Sequence, residues 1–175
     1  MSAVGSGQQA VGRRRGGALL ESLLVAPVLV LLFVGAMEIG KVTLTYYQLH
    51  KALRAGARMA ALVRGADFCS AEDVQIAAIR NFIVFGPEGT IEPIVRGLTA
   101  DRVLIQPERT DGENGSVGTC ECSGPTGCAL TDGGHAPDYV VAEIDGGYEF
   151  QLEIPFRSPE VVILRPRVRV PFGGL

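Results

Sequence analysis

The chain has 175 residues, enough for one compact domain with an appended helix and too few for two substantial cores. A formal net charge of -3 and an aromatic content of 6% exclude a broadly basic nucleic-acid binder and an acidic disordered chain. The charge is unevenly placed, because Arg13, Arg14 and Arg15 stand directly before the most apolar stretch while acidic residues collect in the second half.

Residues 1–12 are small and polar, with too little apolar surface to order themselves, and read as a disordered leader. From 18 to 37 nearly every residue is apolar; Glu21 and Ser22 are the only polar side chains and Pro27 the only helix breaker. At about 1.5 Å per residue such a run spans roughly 30 Å, the hydrocarbon thickness of a bilayer. Basic residues stay on the cytoplasmic side, so the arginine block places the N-terminus inside and everything after about Lys41 outside. The expected location is a bacterial inner membrane, crossed once, with the C-terminal domain in the periplasm.

The helix is expected to continue to Val63, because Ile39, Val42, Tyr46, Leu49, Leu53, Gly56, Ala60 and Val63 recur at steps of three and four. Lys41, Lys51, Arg54, Arg58 and Arg64 lie off that stripe and solvate the other face. Gly56, Ala57, Ala60 and Ala61 are small enough for a second helix or a sheet to approach closely. Gly65 marks the stop, and Ser70 with Asp73 three residues on reads as a capping box opening a second helix. Val74, Ala78, Phe82 and Phe85 are its expected buried face, and Gly86-Pro87 ends it.

Beyond it, 101–106 reads as a strand and 111–137 as a long surface loop bearing most of the cysteines. The runs 139–144 and 148–154 flank Asp145-Gly146-Gly147 and suggest a hairpin. Segments 161–164 and 167–170 continue the pattern, with Val168 and Val170 alternating against Arg167 and Arg169. Pro155, Pro159, Pro166 and Pro171 confine these strands to edges or short pieces. The expected fold is α+β: a long N-terminal helix, a short second helix and a small antiparallel sheet of three or four strands.

Cys69, Cys120, Cys122 and Cys128 are an even set, as an oxidising periplasm permits. A bond from Cys120 to Cys122 would close too tight a ring, so Cys69 is expected to pair into the later cluster and the remaining two to join each other. As zinc ligands they fit poorly, since the cluster lacks the paired two-residue spacing of zinc ribbons. His50 and His135, the only histidines, are far apart and lack the flanking pattern of a metal site or catalytic triad. Asp132, Asp138, Glu143, Asp145 and Glu149 do not repeat a calcium-loop spacing, and no phosphate-binding glycine loop is present. The expectation is therefore no catalytic residues, no metal, no cofactor and no small-molecule substrate.

Three functions fit the N-terminal run. In a plain anchor, Glu21 serves nothing and costs on the order of 2 to 3 kcal/mol if deep in hydrocarbon. In a secretory signal, Val34-Gly35-Ala36 supplies a small-residue cut, but the apolar core is long and flows into the amphipathic helix. In a prepilin-type leader, cutting after Gly16 makes Gly17 the new N-terminus and puts Glu21 at the fifth mature position. The new α-amino group is cationic at neutral pH. A neighbouring subunit's terminus then neutralises Glu21, an attraction of roughly 4 kcal/mol at 4 Å before desolvation is subtracted.

The string Arg13-Arg14-Arg15-Gly16-Gly17-Ala18-Leu19-Leu20-Glu21, the apolar run with Pro27, the Glu38-Ile39-Gly40 exit and Leu53-Arg54-Ala55-Gly56-Ala57-Arg58-Met59-Ala60 together resemble the TadE-like minor pilins of tight adherence systems. The resemblance covers about residues 13–63. It implies a type IVb pilin-like precursor, processed by a prepilin peptidase, that serves assembly of a Flp-type pilus or a related secretion machine. Its implied partners are other pilin-like subunits and the inner-membrane assembly proteins. By motif position Gly16 and Gly17 flank the cut and Glu21 is the assembly glutamate. The rival expectation is a single-pass tether whose periplasmic module recruits a partner through the cysteine-bearing loop without entering a filament.

Overall fold

The computed structural model describes residues 12–175 except 71, 90, 113, 125–126, 130–132, 154–157 and 174–175, with backbone alone for 12–16 and 18. Residues 1–11 of the expected leader, the side chains of Arg13, Arg14 and Arg15, and Asp132, Ile154 and Pro155 therefore lie outside the described residues.

Helix α1 runs Gly12–Leu62, 51 residues, or about 77 Å at the standard rise. It starts upstream of the apolar run, because the arginines are good helix formers and prolong the backbone ladder through the paired glycines. It ends before Gly65, whose φ of 75° supplies the left-handed turn out of the helix. The expected stripe holds only in its distal half. Leu49, Leu53, Gly56 and Ala60 are buried, whereas Ile39 is 69% exposed and Tyr46 lies on the surface.

Helix α2 runs Val74–Phe85. Asp73 is itself the cap, accepting from the backbone N–H groups of Gln75 at 2.8 Å and Ile76 at 3.0 Å, so the capping box expected from Ser70 is corrected by three residues. A further bond from the Asp67 N–H reaches its other oxygen. These donors, with Ile76 foremost, hold the Asp73 carboxyl below its ordinary range. The buried face is also corrected: Ile76, Ile79, Ile83 and Val84 point inward and Val74 is 81% exposed. Both sets have helical spacing, and the isoleucine face is the one that seats against Gly56 of α1 through Ile79 and Ile83.

Strands β1 (Val103–Thr110), β2 (Val117–Thr119), β3 (Tyr139–Ile144) and β6 (Arg167–Pro171) form an antiparallel sheet in the order β2-β1-β3-β6. Strands β4 (Tyr148–Leu152) and β5 (Glu160–Leu164) form a separate two-stranded sheet. The expected β3–β4 hairpin does not form, since β1 and β6 already occupy both edges of β3. The turn through Gly146 and Gly147, at φ 67° and 84°, instead carries the chain from one sheet to the other. Arg102 latches that turn by donating to the Gly147 carbonyl at 2.7 Å.

Val103, Ile105, Val140, Ala142, Ile144 and Val168 line the sheet's inner face and join Leu49, Leu53, Ala57 and Ala60 of α1 and the isoleucines of α2 in one core. Gly56 is where the two helices meet. A Cβ there would collide with Cγ1 and Cδ1 of Ile83, which is fully buried. Replacing this glycine with alanine gains about 1 kcal/mol of helix propensity but forces the helices apart, an overpacking cost of about 1 to 3 kcal/mol. Gly56→Ala is expected to lower the thermal midpoint of the detergent-solubilised chain. Gly40→Ala, at a position with nothing within 4 Å of the added carbon, is expected to leave that midpoint unchanged or raised. Equal midpoints for the two variants would contradict the close contact.

Candidate functional site

The apolar, proximal part of α1 is left unburied by the described residues. It forms one candidate membrane span, and none of its most apolar window is buried. Leu23 is 76% and Phe33 67% exposed. At about 25 cal/mol per Å², so many large apolar side chains are stable only when lipid or other helices cover them. The segment is thus a contact surface by composition.

Glu21 lies on this surface, beside a shallow groove shared with Ser22, Val25, Ala26 and Leu29. Its carboxylate has no partner among the described residues. Gly17 is exposed one turn before it, with open space around its Cα. Gly16 lies in the same helix, described by its backbone alone. Gly17 and Glu21, at i and i+4, lie on one face.

Where the apolar segment ends, Lys41 Nζ donates to Glu38 Oε1 at 2.6 Å. Glu153, just past β4, sits beside the same pair. The domain therefore begins to pack on α1 close to its exit from the apolar segment.

The cysteine-bearing segment is bound down rather than structureless. Cys69 joins Cys122, and Cys120 joins Cys128. The first bond ties the loop after α1 to the segment that follows the edge strand β2; the second closes a small ring. Strand β2 pairs with β1 inside this segment. Arg109 on β1 clamps it further, donating to the carbonyls of His135 at 2.6 Å and Ala136 at 2.9 Å. Asp138 accepts from the Thr110 N–H at 2.8 Å, and the bonds from Thr110, aided by the nearby Arg109 charge, hold its carboxyl below the usual range. His50 stacks on Tyr46 with ring centroids 6.2 Å apart and meets Arg54 Nη2 at 3.4 Å. The two histidines stay on separate elements.

Sequence reasoning missed the charge cluster on the sheet's other face. Glu108 of β1 is buried. Arg167 Nη2 donates to its Oε1 at 2.6 Å, and Arg169 Nε stands 2.6 Å from Oε2, a charge contact rather than a directed hydrogen bond. Arg167 also meets Glu143 of β3 at 3.3 Å. The alternation of Arg167 and Arg169 was a usable signal for an outward row. Its acidic partner two strands away was not visible without the strand order.

Compared with known families, residues 16–58 match the family model described as TadE-like protein. The match lies within the segment that carries the resemblance and includes the Gly16–Gly17 junction, Glu21 and the small-residue stretch at Gly56. Comparison with characterised proteins and with solved structures gave no match.

Proposed function

From a TadE-like segment that spans the apolar helix and its exit, we propose that the chain is a minor pilin or pseudopilin-like subunit in the assembly of a tight adherence pilus or related secretion machine. The role is structural. The observation that carries it is a helix surface of some twenty apolar residues, unburied by the described residues, bearing one carboxylate four residues after Gly17 that has no partner among them. A lone carboxylate in lipid is costly, and a cationic terminus from an adjacent copy offsets that cost. In this reading the N-terminus is cytoplasmic and the sheet domain periplasmic, where the two disulfides persist. A prepilin peptidase cuts after Gly16 or Gly17, and pilin-like subunits with inner-membrane assembly proteins are the partners.

Mass spectrometry of the N-terminus of membrane-extracted protein, from cells with an active prepilin peptidase, tests this. A start at Gly17 or Ala18 is expected. An intact Met1 would indicate a permanent tether, and a start near Met37 a secreted domain; either sinks the proposal.

A further inference from the structure

Strand β6 is the outermost strand of the four-stranded sheet, and its outer edge pairs with no described residue. The Phe172 N–H donates to the Asp138 carbonyl, which sets the phase of the β3–β6 ladder. In that phase Val168 and Val170 exchange hydrogen bonds with β3, and the backbone N–H and C=O of Arg167 and Arg169 turn outward. An open groove of about 470 Å³ runs along this edge, lined by Arg167–Pro171 on one side and by His50, Arg54 and Arg58 of α1 on the other.

The groove is cationic. The side chains of Arg167 and Arg169 are committed to Glu108 and Glu143, so its uncompensated charge comes from Arg54 and Arg58. Both are exposed, and Arg58 has no partner among the described residues. An edge strand beside two unneutralised arginines suits an extended, acidic segment, with backbone bonds giving affinity and charge giving register.

The molecule carries such a segment. Glu149 and Gln151 alternate outward on β4, and Glu153 continues their row. Across the two-stranded sheet they stand beside the half-exposed Val161 and Ile163. The acidic row cannot reach the groove of its own chain along the helix, because Glu153 is held beside Lys41, and Arg54 lies about 20 Å farther along α1. A second copy, displaced outward by about that distance, brings its row to the first copy's groove. The contact joins different surfaces, so it is heterologous and propagates instead of closing.

We infer that the β6 edge with Arg54 and Arg58 receives the acidic β4 row of a second copy, staggered by about 20 Å along the helix axis. The inference deepens the assembly role proposed above and depends on it for its use. The Glu21 pairing staggers copies by only about 6 Å; the two contacts therefore join different neighbours of one helical array.

The test places photoreactive benzoylphenylalanine at Gln151 in the full chain, extracted in detergent as a mixture of isotope-labelled and unlabelled copies. Mixed-label adducts are expected to map to peptides containing Arg54–Arg58 or Arg167–Pro171. Arg54→Glu with Arg58→Glu in the receiving copy should cut the adduct at least fivefold, and Glu149→Arg with Glu153→Arg in the probe copy should restore it. A merely structural role for these arginines gives no such rescue. Adducts that map elsewhere, that are absent, or that survive the Arg54/Arg58 reversal overturn the inference. A retained leader, in contrast, sinks the assembly role without altering the adduct.

Discussion

Glu21→Gln is expected to leave the chain in the membrane and to abolish its contribution to assembly. Glutamine keeps the size and the polar end but removes the charge, so the helix inserts at least as readily as before. What disappears is the attraction to a neighbour's new terminal amine, roughly 4 kcal/mol at 4 Å and an effective dielectric near 20, less the desolvation of both groups. Even a surviving net of about 1.4 kcal/mol is a tenfold change in association at each added subunit. The measurement is paired: chain recovered in membranes, and sheared surface pili or secreted cargo from a cell carrying the tight adherence machinery. Normal membrane levels with pili or cargo below detection are expected. Wild-type assembly by the glutamine variant would sink the charge pairing even if the leader were correctly removed.

The helices were legible because their signals are local and long. The run at 18–37, the stripe through Leu49 and Leu53 and the stop at Gly65 all act over neighbouring turns. The phase of α2 was not legible, since Val74, Ala78, Phe82 and Phe85 and the set Ile76, Ile79 and Ile83 each make a helical stripe. The choice between them is tertiary: Ile83 fills the gap left by Gly56 on α1. Asp145-Gly146-Gly147 was rightly a turn and wrongly a hairpin, because pairing depended on which strands had already claimed β3. Ring geometry ruled out the Cys120–Cys122 bond and with it Cys69–Cys128, but choosing Cys122 over Cys120 as the partner of Cys69 required the path of the loop after β2. At the candidate site, Glu21 was legible as an anomaly in an apolar run. Glu108 was not, since Pro107-Glu108-Arg109 has the composition of a surface segment.

That buried glutamate carries the second large effect. Arg167→Met with Arg169→Met keeps the stems that cover the sheet but removes both cations facing Glu108, whose side chain is 3% exposed. Removing the partners of a buried charge costs about 3 to 5 kcal/mol. Because the arginine side chains are themselves 52% and 44% exposed, water reaches their ends, and the lower part of that range, about 3 kcal/mol, is expected. Chemical denaturation of the detergent-solubilised chain measures it. Adding Glu108→Leu to the double variant removes the stranded charge and should recover most of the loss, since an apolar replacement of a buried ion cluster is often neutral. If the triple variant is no more stable than the double, the loss arises from the arginine stems covering Val141 rather than from the charge. If the double variant unfolds like the wild type, Glu108 is already solvated and the cluster does not hold β6 against β1.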